Sequence, residues 1–355
     1  MSGAAESATA PPRDRLARDR KARDRKAEHI RLALDAGNQS AHSFFDDYAF
    51  EHRALPEIDL ADIDVSVDFL GKRLDAPILV SCMTGGTEAA GEINRNLAEA
   101  AERCLIAIGV GSQRKALEDP LQASTFQVRE LAPSVPLLAN LGAVQLNYGY
   151  GIEECRAAVK MIDADALAFH LNVLQEAIQP EGQTDFSGLL PKMGSIAAQL
   201  EVPVIAKEIG CGISGGTARA LLERGIRIID TAGLGGTSWA RIEARRAGDA
   251  EIGEMFADWG IPTPVCIRDV ASVEGLTVIG SGGIRSGVDT AKAIALGANL
   301  VGMAFPLLAP ATESADAVVE KVERIVDELR IAMLSVGVRT IDELRRVELG
   351  KRSER

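Results

Sequence analysis

"LTVIGSGGIRSGVDTAKAIALGA", residues 276–298, joins an apolar run to a helix-spaced segment through a turn with four glycines and one arginine. Taken alone, the turn is a tight bend, since glycine accepts backbone angles that other residues avoid. It also has the makings of an anion seat. Bare N–H groups at a helix start, the positive end of the helix dipole and a nearby guanidinium all favour phosphate. The place of this turn in the chain decides what it belongs to.

Working outward, short runs of Val, Ile, Leu and Ala recur. They are "APILVS" (76–81), "LIAIGV" (105–110), "VPLLAN" (135–140), "ALAFHL" (166–171), "VPVIAK" (202–207), "IRIIDT" (226–231), "LTVIGS" (276–281) and "NLVGMA" (299–304). Continuous apolar runs suit strands buried on both faces of a parallel sheet. Between them lie helical patterns such as "INRNLAEAAERC", "SGGTARALLERG" and "GVDTAKAIALGA", the last two closing near a glycine, as helix C-caps do. A doubly wound sheet would carry its phosphate loop after the first strand; here the glycine-arginine turn follows the seventh. Eight β–α units predict an α/β protein with a (β/α)8 TIM barrel. The gap at 241–275 reads as an insertion over the barrel mouth between strands 6 and 7, too small for a separate core. Residues 1–24 read as a charged extension, disordered or solvated. Residues 25–345 form one domain, and 346–355 a charged tail.

The totals narrow the function classes. The 355-residue chain is 46% hydrophobic, 4% aromatic and carries a formal charge of −12. That balance disfavours nucleic acid as a partner. No apolar run approaches a membrane span and no signal-peptide core opens the chain, so no membrane role is expected. Five dispersed cysteines show neither zinc nor disulfide spacing, and a reduced, cytoplasmic protein is the expectation.

Barrel enzymes work at the C-terminal ends of their strands. There this chain places "CMTGGT", "GSQRK", Asn140, "HLNVLQE", "AKE", "TAGLGGTS", "GSGGIRSG" and "GMAFP". Polar residues and glycines gather at one rim. Each also has a plainer reading. Thr84, Gly85 and Gly86 suit a helix cap, Lys207 a solvated or paired lysine, His170 a hydrogen-bonded core histidine and Glu176 a residue facing water. The glycine turns 233–236 and 282–283 follow strands 6 and 7, where barrels build phosphate sites, and Arg285 completes an anion seat.

Together "RKAEHI", "MTGGT", "GSQR", "HLNVLQE", "IAKEIG", "GGTSWARIEARR" and "GSGGIRSGVDTAKAIALGANLVGMA" resemble the type 2 isopentenyl-diphosphate isomerases, in order from about residue 25 to about 310. The resemblance implies a redox-neutral allylic proton shift that interconverts isopentenyl and dimethylallyl diphosphate. Reduced FMN would serve as acid/base, NADPH as its reductant, and Mg²⁺ would hold the diphosphate. Carried over by motif, Met83, Thr84, Gly85, Ser112, Asn140, Lys207 and Thr237 would hold the flavin ring and ribityl chain. Gly283, Arg285, Ala304 and Phe305 would surround its phosphate. Arg25, Lys26, Arg114, His170 and Gln175 would meet the substrate, with Gln175 and His170 as the catalytic pair, and Glu176 would bind Mg²⁺. The family also implies a homo-oligomer, tetramer or octamer.

The chemistry of these residues is consistent with those roles. Arginine and lysine clamp diphosphates, and one carboxylate suffices for Mg²⁺, which keeps waters and phosphate oxygens as its other ligands. Three alternatives differ in testable features. A 2-hydroxy-acid oxidase needs a histidine beside an arginine late in the barrel, and the histidines are His29, His42, His52 and His170. An IMP-dehydrogenase-like enzyme needs a cysteine in "TAGLGGTS", which has none. An inactive flavin-binding scaffold has no use for Glu176.

Overall fold

The computed structural model of the chain describes residues 26–351. Eight parallel strands close into a barrel, as the eight apolar runs predict. They are β1 Ile78–Val80, β2 Ala107–Gly109, β3 Leu137–Gly142, β4 Ala166–Leu171, β5 Val204–Glu208, β6 Ile228–Asp230, β7 Thr277–Ser281 and β8 Leu300–Met303. Closure is by β8 on β1, with Val301 opposite Ile78. Helices such as Glu88–Arg103, Ile152–Ile162, Gly215–Leu222 and Gly287–Ala295 cover the outside.

Side chains alternate along each strand. One set fills the space between strands and helices, including Ile78, Val80, Ile108, Leu137, Ile229 and Val301. The other points inward: Leu79, Ala107, Leu138, Ala168, Ile205, Ile228, Ile279 and Leu300 pack into an inner cluster. An antiparallel hairpin, Val67–Phe69 with Lys72–Leu74, precedes β1. Phe69 and Leu74 join this inner cluster and close the end of the barrel opposite the strand tips.

Two residues beyond each inward apolar side chain the pattern changes on every strand. The positions are Ser81, Gly109, Asn140, His170, Lys207, Asp230, Ser281 and Gly302. Gly109 and Gly302 leave no room for a Cβ, which would fall 2.5 Å from Cys82 Sγ and 2.7 Å from Ser81 Oγ respectively; apolar side chains at the other six would each contribute about 1.5–3 kcal/mol of burial. The chain forgoes that stabilisation at those six positions, and the layer becomes the floor of a cavity.

The 241–275 gap divides into two parts. Trp239–Ala247 packs against Val173–Ile178 at the mouth and is followed by Ala250–Met255, matching the expected insertion. Thr263–Ala271 instead lies against β7 and Gly215–Leu222, as the ordinary crossover helix of a barrel unit. Ahead of the barrel, a helix over 26–34 leads to residues 36–40, which lie along the loop after β6. Ser40 N donates to Gly236 O at 2.8 Å, and Ser238 N to Asn38 O at 2.8 Å. Of the segment read as a tail, Gly350–Lys351 pairs with Tyr48–Ala49. Residues 1–25 and 352–355, including the extension and Arg25, lie outside the described residues.

Candidate active site

A cavity of about 2460 Å³ sits on the polar layer at the C-terminal ends of the strands. Its floor is wired across neighbouring strands. Lys207 and Asp230 are register partners on β5 and β6, and their buried side chains form an ion pair at 3.1 Å. Lys207 Nζ also donates to Glu208 O at 3.0 Å, so the lysine is paired rather than solvated. Asp230 accepts a further hydrogen bond from Ser281 Oγ on β7.

His170 Nδ1 lies 2.8 Å from Asn140 Oδ1, an acceptor, so Nδ1 carries the proton. Burial, together with the charges of Lys207 and Lys26, holds the imidazole down to about 3, leaving it neutral with Nε2 as a lone-pair acceptor. It is hydrogen-bonded, as a core histidine would be, yet it lines the cavity.

The opposite end of the cavity is built from glycine. The turns after β6 and β7 interlock: a Cβ on Gly282 would fall 2.2 Å from Gly233 O, and one on Gly283 2.2 Å from Gly235 O. Gly282 and Gly283 also have φ of +105° and +73°, a region that favours glycine. Arg285 reaches over this turn. Its guanidinium donates to Gly235 O at 3.2 Å and Gly283 O at 3.3 Å, and no ion pair engages it among the described residues. Burial lowers its pKa from the ordinary arginine value. The helix Phe305–Glu313 starts beside it with no side-chain cap at Ala304. A half-buried guanidinium with no ion-pair contact, its nearest charge the Asp289 carboxylate that its own backbone N–H holds, is a site that wants an anion.

The loop after β4 supplies a different chemistry. Glu176 is buried, and its carboxylate accepts from Asn172 Nδ2 at 2.9 Å, Gln179 Nε2 at 2.5 Å and Gln183 N at 2.7 Å. All three donors are neutral. Beside it, Gln175 donates to Glu243 Oε1 at 2.7 Å. Glu243 is buried and held below the usual carboxylate range by His29, Gln175 and Arg246, against the opposing effect of burial. His29 Nε2 lies 3.0 Å from Glu243 Oε1 and meets Trp239 edge-on, with ring centroids 5.3 Å apart.

Thr84 is buried at the cavity wall, and the cap of the following helix is Thr87, whose side chain accepts from Ala90 N. Gly85 stands outside the lining, where a Cβ would strike the Phe126 ring at 2.0 Å. Met83, Ser112, Asn140, Lys207 and Thr237 line the cavity, as do Gly283, Arg285, Ala304 and Phe305. Lys26, Arg114, His170, Gln175 and Glu176 line it as well. Arg114 pairs with Glu118 at 2.8 Å and donates to Gln183 Oε1 at 3.2 Å. The structure adds His29, Asn172, Glu243, Arg246 and Asp230, which the sequence reading left unassigned. Asn172 Oδ1 and Ser81 Oγ are buried at the cavity wall without a hydrogen-bond partner, as happens where a ligand supplies the missing group. No group of three or more His, Cys, Asp or Glu among the described residues forms a closed metal centre.

A profile of the FMN-dependent dehydrogenases matches residues 174–351. The chain is similar to isopentenyl-diphosphate delta-isomerase of Nostoc sp. (strain PCC 7120), 48% identical over 90% of this chain and 93% of that protein. It is 51% identical to the enzyme of that name from Methanothrix thermoacetophila over 90% of each chain. That from Paracoccus zeaxanthinifaciens is 48% identical over 90% of this chain and 94% of its own. Among solved structures, a mandelate oxidase variant covers 94% of this chain and 98% of its own, with TM-score 0.65 and 20% identity. A Pediococcus acidilactici lactate oxidase covers 94% of each chain with TM-score 0.65 and 16% identity. These two share the barrel fold. The match to the isomerases, over 90% of this chain, carries more: the chain belongs to the FMN-dependent, type 2 isopentenyl-diphosphate delta-isomerase family.

Proposed function

We propose that the chain interconverts isopentenyl and dimethylallyl diphosphate in this cavity, with FMN bound across the floor and the substrate above it. The observation that carries the reading is the pairing of two unlike ends in one space. The Arg285–glycine seat at β6–β8 suits the single phosphate of FMN. The β2–β4 side sets Lys26, Arg114 and His170 beside the buried carboxylate Glu176, which suits a diphosphate with a divalent cation. Glu176 fits Mg²⁺ as the one protein ligand: it is buried, anionic and ringed by neutral amides. Reduced FMN, when bound, supplies an electron-rich surface and an acid/base group for the allylic proton shift.

This chain's own residues then bind and orient. Lys207 offers an ammonium at the floor, and Gly283, Arg285, Ala304 and Phe305 receive the phosphate. Met83, Thr84, Ser112, Asn140 and Thr237 shape the ring and ribityl side, with Gly85 setting the backbone behind Thr84. His170 presents Nε2, and a diphosphate against it would draw a proton onto that nitrogen. Gln175, tied to both Asn172 and Glu243, fixes the substrate's reacting end. NADPH is the expected reductant of FMN, and a homo-oligomer, tetramer or octamer, the expected assembly. No helix among the described residues is long and apolar enough to cross a membrane.

The test is anaerobic turnover of isopentenyl diphosphate with FMN, NADPH and Mg²⁺, with and without EDTA. Formation of dimethylallyl diphosphate that EDTA abolishes is expected. Turnover of a 2-hydroxy acid in its place would support the oxidase reading.

A further inference from the structure

The carboxylate of Asp230 does not line the cavity, yet it is the side chain that faces the Lys207 ammonium from across the strand gap. Both are inward members of the polar layer, in register on adjacent strands. Their 3.1 Å contact is almost wholly buried, with side chains 8% and 2% exposed. Ser281 Oγ donates to the second oxygen of Asp230 and accepts from Ala232 N at 2.9 Å. The carboxylate is thereby fixed to the loop after β6. The other ionisable groups facing Lys207 are His170, its register partner on β4, and the Cys82 thiol after β1. His170 is neutral, and burial raises the Cys82 thiol, so it holds its proton. The Glu208 carboxylate turns away, taken up by the N–H groups of Ile209, Gly210, Cys211 and Gly212. Asp230 is therefore the only anion in contact with this ammonium among the described residues.

We infer that Asp230 is a positioning residue that keeps Lys207 protonated whether the bound flavin is oxidised or reduced. A buried amine without a counter-ion gives up its proton near neutral pH. With Asp230 in place, Lys207 is a fixed positive charge beneath the cofactor and takes no part in proton bookkeeping during reduction. Without it, Lys207 would be neutral beside oxidised flavin and would take up one proton as two electrons arrive. The inference rests on FMN occupying the cavity as proposed above.

The experiment is the pH dependence, from 7 to 9, of the midpoint potential of FMN bound to the intact protein, for wild type, Asp230→Asn, Lys207→Met and the double variant. For Asp230→Asn the account expects a slope steeper than wild type by one proton per two electrons. That is a tenfold change in the reduction equilibrium per pH unit, about 30 mV. The double variant, which holds neither the amine nor the carboxylate, should show the wild-type slope, whereas Lys207→Met alone leaves Asp230 unpaired and able to titrate. An Asp230→Asn slope equal to wild type, with FMN bound, overturns the inference. Failure of the wild type to bind FMN would instead overturn the reading on which it rests. A thermal-melting comparison serves if Asp230→Asn folds poorly. Lys207→Met leaves a buried carboxylate unpaired, so adding Asp230→Asn to it should raise the melting temperature. A double variant less stable than Lys207→Met would show that Asp230 serves the fold and not the lysine.

Discussion

Gln175 donates its side-chain amide to Glu243 at 2.7 Å, joining the helix after β4 to the helix after β6 across the cavity mouth. Glu243 is the common acceptor for three elements, because His29 on the N-terminal helix and Arg246 on its own helix also pair with it. Glu243→Ala leaves His29 and Gln175 without their shared anion, while Arg246 keeps Glu28 and Glu181, and is expected to destabilise the protein by about 1–3 kcal/mol. Glu243→Gln keeps the shape but loosens Gln175, so kcat should fall about 100-fold while FMN stays bound. Urea unfolding and steady-state kinetics read the two effects separately.

His170 makes a pH prediction with a definite sign. Its native pKa of about 3 lies below the ordinary 6.5 of the unfolded chain. The unfolded state therefore binds more protons below pH 6.5, and stability is lost as pH falls from 6.5 toward 3. Replacing His170 with Gln removes that contribution. Denaturant unfolding between pH 7 and 4 should show a shallower acid decline for His170→Gln than for wild type. Equal slopes would mean that the imidazole is charged in the native protein.

The Arg285 guanidinium lies half-buried on carbonyl partners, with no ion pair among the described residues; the Asp289 carboxylate is taken by the arginine's own backbone N–H at 3.1 Å. An unpaired buried cation is a burden on the apoprotein and an asset once phosphate arrives. Arg285→Met should weaken FMN binding about 10- to 100-fold while the melting temperature of the apoprotein holds or rises. A variant that melts earlier as apoprotein and retains its FMN affinity would assign the arginine to the fold alone.

Glu176 is buried at the cavity wall, and the donors to its carboxylate are neutral amides. Glu176→Gln preserves the volume and removes the charge. The Mg²⁺ concentration for half-maximal activity should rise at least about 10-fold, with FMN affinity unchanged. Titration of turnover against free Mg²⁺ checks it.

The barrel was legible because eight apolar runs, each closed by glycine or polar residues, have few other architectures available. The glycine-arginine turn was legible because only glycine allows two turns to interlock as they do at Gly282 and Gly283. Asp230 was hidden inside "IRIIDT". Strands buried on both faces show no polar-apolar alternation, so nothing in the run says that this residue faces inward beside Lys207. Glu243 sat in a charged helix, "RIEARR", that reads as a wet face until it is set beside Gln175 and His29. The 241–275 gap hid a crossover helix at Thr263–Ala271, because helix spacing alone does not separate an inserted helix from one that completes a barrel unit.

The proposed allylic proton shift leaves the flavin's redox state unchanged overall. The direct measurement is anaerobic turnover of isopentenyl diphosphate with FMN, Mg²⁺ and a limiting, quantified amount of NADPH, counting product against NADPH oxidised. Dimethylallyl diphosphate in large excess over the NADPH consumed is expected. Product equal to the NADPH consumed, or none at all from FMN-loaded protein, would contradict it.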